Sequence, residues 1–217
     1  MTSREDIAAM RRQYGEHGLI EGELPLNPIE LFNTWLTQAA ENEIVVEANA
    51  MVLSTEVDDQ PTSRTVLLKD LTQAGFTFFS NYESNKGKQI SENKNVSLLF
   101  PWYPMERQVI VIGSATKIAR EDSEKYFATR PRPSQIGAWA SEQSTELSSR
   151  QELEAKFKEL ENKFAQEKVI PTPPYWGGYI VDPISIEFWQ GRYSRLHDRI
   201  RYVREKNNNW QIKRLNP

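Results

Sequence analysis

Apolar residues along the chain alternate between helical and strand-like spacing. REDIAAMRRQY (4–14) predicts a short helix with Ser3 as its cap. Gly15 and Gly18 then loosen the chain, and ELPLNPIE reads as an extended linker. Asn27 followed by Pro28 marks a second helix start. Its residues Ile29, Leu31, Phe32, Trp35, Leu36 and Ala39 lie mostly on one face. From about 49 to 119 the texture turns to short runs rich in β-branched and aromatic residues: AMVLSTEV, TSRTVLLKD, GFTFFS, VSLLFPW and RQVIVIGSATKIA. DDQP predicts a turn between the first two runs, and ESNKGKQISEN a helix between the third and fourth. Residues 122–130 and 148–167 read as helices, the second with Leu153, Phe157, Leu160 and Phe164 at helical spacing. VIPTPPYWGG ends it, and the tail returns to strands in GGYIV, SIEFWQ, DRIRYVRE and WQIKRLN, with NNN at 207–209 as a hairpin turn. Closely spaced strands with few helices between them favour an antiparallel sheet or barrel. The pattern predicts one α+β domain, a β-barrel-like core with helices around it.

Composition narrows the chemistry. The chain has 217 residues, of which 38% are apolar, and 6 Trp, 8 Tyr and 9 Phe supply core bulk. Net charge is −3, which does not favour non-specific nucleic-acid binding. No apolar run approaches the roughly 20 residues of a membrane span, and the first residues lack a secretory h-region. With no cysteine, there are no disulfides, thiolate metal sites or Cys nucleophile, and a cytoplasmic location is expected. The two histidines, His17 and His197, exclude a multi-His metal site. Catalysis has to rest on Arg, Lys, Tyr, carboxylates or a cofactor.

Polar residues embedded in the strand runs are the candidates. Arg64 and Lys69 bracket Val66-Leu67-Leu68 and would face opposite sides of an ideal strand. Each taken alone is more readily a solvated strand-end side chain. Lys86 and Lys88 flank Gly87 at a helix start, where backbone N–H groups and a cation can cradle phosphate, though no P-loop pattern is present. Tyr126, Arg130 and Ser134 are spaced by four, aligned if the helix continues through Pro131 and Pro133. A phosphate grip and ordinary core packing explain them about equally. Arg195, His197 and Arg199 alternate and would share one strand face, an arrangement that repels itself unless an anion sits against it. Together the four segments point to a phosphate-bearing aromatic ligand, without specifying a reaction.

At RTVLLK (64–69), FFSNYESNKGKQI (78–90), SLLFPWYPMERQV (97–109), YFATRPRPSQIGAW (126–139) and EFWQGRYSRLHDR (187–199) the sequence resembles the pyridoxine (pyridoxamine) 5′-phosphate oxidase family, in family order and over nearly the whole chain. The resemblance implies an α+β split β-barrel that binds FMN, with residues 1–20 as a mobile segment and 175–217 as strands completing the active site. It implies a homodimer with FMN at the subunit interface. It implies oxidation of pyridoxine 5′-phosphate or pyridoxamine 5′-phosphate to pyridoxal 5′-phosphate, with O2 reduced to hydrogen peroxide and ammonia released from the amine. FMN contacts would come from Arg64, Thr65, Val66, Leu67, Leu68, Lys69, Phe79, Ser80, Lys86, Gln108, Gln143, Ser144, Trp189 and Arg199. Lys69, Tyr126, Arg130 and Ser134 would hold the substrate phosphate, Arg195 and His197 its ring as catalytic residues, and Arg11 and Tyr14 would cover the site.

One departure stands out. Many members carry Arg where this chain has Asn85, so the resemblance puts one cationic contact to the FMN phosphate in question; an amide there can donate a hydrogen bond without the charge-assisted strength. Residues 192–194 are given no role. The rival readings are another flavin enzyme on the same barrel and a non-catalytic flavin or pyridoxal-phosphate binder. The substrate-side cluster argues against the first, and the intact Arg195 and His197 against the second.

Overall fold

In a computed structural model of the chain, residues 4–9, 14–15 and 18–217 are described. Six α-helices and nine strands occur among them. In chain order they are α1 (Arg4–Ala9), α2 (Pro28–Glu41), β1 (Ala50–Val57), β2 (Gln60–Leu67), β3 (Asp70–Thr72), β4 (Gly75–Asn81), α3 (Asn85–Glu92), β5 (Asn95–Trp102) and β6 (Arg107–Lys117). Then follow α4 (Arg120–Thr129), α5 (Arg132–Ala140), α6 (Arg150–Lys163), β7 (Trp176–Gln190), β8 (Asp198–Arg204) and β9 (Trp210–Leu215). The strands hydrogen-bond along the path β2-β1-β5-β6-β7-β4-β3, with β8 added to β7 and β9 to β8. The β1/β2, β3/β4, β4/β7, β7/β8 and β8/β9 pairs are antiparallel. Among the described residues, no helix is long and apolar enough to cross a membrane.

The chain divides into two compact units. One is built from Met1–Ala48, Leu99–Val111 and Ser185–Pro217, the other from Asn49–Leu98 and Ile112–Ile184. The first is centred on aromatic residues. Phe32 and Trp35, on the buried stripe of α2, meet Phe100 and Phe188 edge-on at 4.8 and 5.2 Å between ring centres. Asn27 caps α2 by accepting from the Ile29 N–H, as the Asn-Pro start predicts. In the second unit Phe127, Ile136, Phe164, Ile170 and Trp176 form a buried cluster under α4, α5 and α6.

Turn chemistry sets the hairpins. Asp58 and Asp59 both have positive φ (53° and 60°) between Val57 and its partner Gln60, the two-residue turn whose twist matches a hairpin. At the β8–β9 hairpin Asn208 takes φ 65° and the Asn207 side chain accepts from the Asn209 N–H.

The described part of the first helix is Arg4–Ala9, and residues 10–13 lie outside the described ones. The structure departs from the sequence pattern in three places. GGYIV and SIEFWQ are one strand of 15 residues, β7. Pro183 lies between the stretch that pairs with β4 (to Val181) and the stretch that pairs with β8 (from Ser185), so its missing N–H interrupts neither ladder. The 122–130 helix spans Arg120–Thr129, and a separate helix, α5, follows it. The 148–167 helix is confined to Arg150–Lys163.

Candidate active site

The second unit holds a cavity of about 490 Å³, within the range of roughly 300–1,000 Å³ common for small-molecule sites. Six chain segments line it. The end of β2 contributes Thr65, Val66 and Leu67, and the residues after it Lys69; β4 contributes Phe79, Ser80 and Asn81. Lys86 enters from the first turn of α3, and Tyr126, Arg130 and Ser134 from the α4–α5 junction. Gln143 comes from the loop after α5, and Trp176 opens β7.

Local sequence explains each placement. Ser84 caps α3 by accepting from the Gly87 N–H, and position 87 has to be glycine because a Cβ would sit 2.1 Å from the Tyr82 carbonyl oxygen. Lys86 beside it is buried, while Lys88, two residues on, is exposed. At the α4–α5 junction Pro131 forces Arg130 into an extended conformation (φ −70°, ψ 146°) and ends α4. Pro133 then sits in the first turn of α5, where a missing N–H costs nothing. The straight helix that would align Tyr126, Arg130 and Ser134 therefore does not form. The three converge on the cavity across a corner instead, fixed by Gln135, whose Nε2 donates to the carbonyls of Phe127, Ala128 and Arg130.

Positive charge in this cavity has no carboxylate partner among the described residues. Lys86 is 8% exposed. Its Nζ donates to Gln143 Oε1 at 2.9 Å and to Ser84 Oγ at 3.4 Å, both neutral. Burial, and then the nearby positive charge of Arg64, bring its pKa down to about 8. Arg64 is half-buried and donates to Thr55 and Thr62 hydroxyls, the Leu53 carbonyl and Gln89 Oε1; burial lowers its pKa too. The Arg130 guanidinium lies 4.8 Å from the centre of the Trp176 ring. Its Nη1 is buried without a hydrogen-bond partner, and burial depresses its pKa. Tyr126 stacks on Phe79 at 3.8 Å between ring centres, and burial raises its phenol pKa. An orphaned guanidinium N–H and a buried ammonium held only by neutral acceptors fit an anionic ligand, and the Phe79, Tyr126 and Trp176 rings fit an aromatic one.

The other expected residues fall into three groups. Leu68 is buried core, Arg64 stands outside the cavity lining, and Ser144, at φ 75°, follows Gln143 without lining it. Gln108, Trp189, Arg195, His197 and Arg199 belong to the first unit, as does Tyr14. Arg11 lies outside the described residues. Lys69 and Arg64 do not share one straight strand, because β2 ends at Leu67 and the Lys69 N–H pairs with the Thr77 carbonyl.

In the first unit the expectation of three cations on one strand face fails. Tyr193–Arg195 is a tight 3-10 turn with Ser194 and Arg195 at φ 56° and 63°, and β8 begins only at Asp198. Arg195 is exposed at this turn. The His197 ring packs against Tyr14 (5.4 Å) and Trp189 (4.8 Å between centres), and burial followed by the Arg195 charge lowers its pKa. Arg199 is compensated: Glu187, 5% exposed, bonds it through one carboxylate oxygen and Arg201 through the other. Sequence reasoning missed Gln135, Trp176, Asn81, Ser141 and Glu187. Only Gln135, inside RPRPSQIGAW, lay in a segment already singled out for chemistry at its centre.

Comparison with known proteins gives the family. Residues 37–164 match the family model described as pyridoxamine 5′-phosphate oxidase, and residues 176–217 the model for the pyridoxine 5′-phosphate oxidase C-terminal dimerisation region. The chain is 54% identical to a pyridoxine/pyridoxamine 5′-phosphate oxidase of Rippkaea orientalis, covering 98% of this chain and 100% of that one. It is 47% identical to the protein of the same name from Streptomyces avermitilis, over 100% of both. Among solved structures, PhzG from Burkholderia lata, in complex with tetrahydrophenazine-1-carboxylic acid, superposes with a TM-score of 0.85 at 30% identity, covering 94% of this chain and 100% of that one. A pyridoxamine 5′-phosphate oxidase-related, FMN-binding protein from Nostoc punctiforme shares the fold, with a TM-score of 0.70 at 15% identity, covering 89% of this chain and 100% of that one. The α+β split-barrel class is the one these neighbours share. By two family models and by full-length relatives about half identical to it, the chain belongs to the pyridoxamine 5′-phosphate oxidase family.

Proposed function

We propose that the protein oxidises pyridoxine 5′-phosphate or pyridoxamine 5′-phosphate to pyridoxal 5′-phosphate, with FMN as cofactor and O2 as acceptor. The alcohol and O2 give aldehyde and hydrogen peroxide; the amine, O2 and water give aldehyde, hydrogen peroxide and ammonia. One observation carries this reading: among the described residues, Lys86 and the Nη1 of Arg130 are buried without a carboxylate partner in an aromatic-lined cavity, in a family whose named substrates are aromatic phosphates.

FMN, when bound, would supply a two-electron acceptor that O2 can reoxidise. The chain's own residues bind and orient. Lys86 and Arg64 would hold the cofactor phosphate, with Thr65, Val66, Leu67, Leu68, Lys69, Phe79, Ser80 and Gln143 around it. Gln108, Ser144, Trp189 and Arg199 are further cofactor contacts on the strength of the family pattern. Arg130, Tyr126, Ser134 and Lys69 would grip the substrate phosphate, giving remote binding energy that orients the reacting carbon. Arg195 would hold the ring and stabilise negative charge developing on it, and His197 would contact the ring. Arg11 and Tyr14 would cover the site. The assembly is a homodimer with FMN at the subunit interface, located in the cytoplasm; the dimerisation-region match supports the first point.

Aerobic turnover tests the reading. Each substrate should give pyridoxal 5′-phosphate and hydrogen peroxide in equal amounts without a nicotinamide cofactor, and only the amine should give ammonia. An FMN-loaded protein that forms no aldehyde from either substrate would overturn it.

A further inference from the structure

His197 has a hydrogen bond that determines where its proton sits. The Tyr193–Arg195 turn, with two successive residues at positive φ, folds the chain so that the Arg192 N–H donates to His197 Nδ1 at 3.0 Å. A backbone N–H can only donate, so Nδ1 must present its lone pair. In the neutral ring the single proton is then on Nε2. Arg192 is held at its other end as well. Its Nη1 bonds Asp198 Oδ2 at 3.3 Å, and the same carboxylate, 5% exposed, accepts from the Leu19 N–H at 2.9 Å and from Arg214. Tyr14 and Trp189 pack on the imidazole and limit its rotation.

We propose that Arg192 is a positioning residue that holds His197 as the neutral Nε2–H tautomer. The ring then offers its ligand a hydrogen-bond donor rather than a basic lone pair. This deepens the proposed function and rests on it: His197 binds an acceptor atom of the phosphorylated ring and does not take the substrate's proton. The charged and titratable groups around the ring agree. Arg195 opposes an imidazolium, Asp198 is already shared by Arg192 and Arg214, and Tyr14 meets the ring edge-on. A second ring proton would point Nδ1–H at the Arg192 N–H and break the bond.

Nitrogen-15 NMR of the FMN-loaded protein tests the tautomer directly. The chain has two histidines, so a His17→Asn variant leaves one imidazole to observe. Near neutral pH, Nε2 should resonate as a protonated nitrogen and Nδ1 as an unprotonated one. A protonated Nδ1, an even mixture or an imidazolium would overturn the proposal. A second arm uses shape: a glutamine amide reaches the place of Nε2, an asparagine amide that of Nδ1. His197→Gln should keep about tenfold more kcat/KM than His197→Asn; equal loss, or the reverse order, would remove the donor role. If the unmodified protein oxidises neither substrate, the proposed function fails, and the NMR result still decides the tautomer.

Discussion

Two groups of cations, one in each unit, are treated in opposite ways. In the first, Glu187 neutralises Arg199 and Arg201, and Asp198 neutralises Arg192 and Arg214. In the second, among the described residues, Arg64, Lys69, Lys86 and Arg130 have no carboxylate within ion-pair reach. The compensated arginines organise backbone and rings, because a cation satisfied by protein has little left for a ligand. The uncompensated ones raise the free energy of the ligand-free cavity, and an anion relieves that cost on binding. Charge left unpaired in a buried place therefore marks a binding site more sharply than charge alone.

The contrast can be broken most directly at Lys86. Lys86→Met should weaken FMN binding about 10- to 100-fold, the worth of a hydrogen bond to a charged group. The FMN-free protein should keep or raise its Tm, since a desolvated ammonium has been removed. A lower Tm with unchanged FMN affinity would place Lys86 with the structural cations. The pH dependence sharpens the same point. Its folded pKa of about 8 lies below the ordinary 10.5, so the unfolded chain binds more protons between these values. Stability of the FMN-free protein should rise with pH across that window. FMN affinity should fall there, by up to about tenfold per unit, because binding has to recover the proton.

Arg130→Ala should raise KM for either phosphorylated substrate about tenfold or more while FMN stays bound. An unaltered KM would remove Arg130 from the phosphate grip. On the compensated side, Glu187→Gln should destabilise the protein by about 1–3 kcal/mol in denaturant titrations, less than a fully buried pair because both arginines are partly exposed. No loss of stability would mean that the two arginines do not need their carboxylate. The smallest effect is expected at Asn85, exposed at the first position of α3. Asn85→Arg should tighten FMN a few-fold by adding a charge-assisted contact; equal dissociation constants would exclude it.

How far the fold was legible depended on the range of the forces involved. The Asn27–Pro28 helix start, the Asp58–Asp59 turn and the Asn207–Asn209 turn are local chemistry and read directly from sequence. The unity of β7 was not legible, because Pro183 looks like a break until its place between two pairings is known. The helix after Pro131 was missed because proline both ends and begins helices, and the choice rests on Gln135 reaching back across the corner. Tyr126, Arg130 and Ser134 line one cavity, but across a corner rather than along the straight helix that their spacing suggests. The strand face imagined for Arg195, His197 and Arg199 failed because period-two reasoning assumes a strand, and positive φ at Ser194 and Arg195 leaves none. Which cation is buried is a tertiary fact: Lys86 and Lys88 are alike in sequence, and burial separates them.

The most direct test of the account is the visible spectrum of the FMN-loaded protein under anaerobic conditions, before and after adding pyridoxine 5′-phosphate. The flavin band should bleach and return when air is admitted. A band that stays unbleached with both pyridoxine and pyridoxamine 5′-phosphate would contradict it, and would leave a cavity that binds aromatic phosphates without oxidising them.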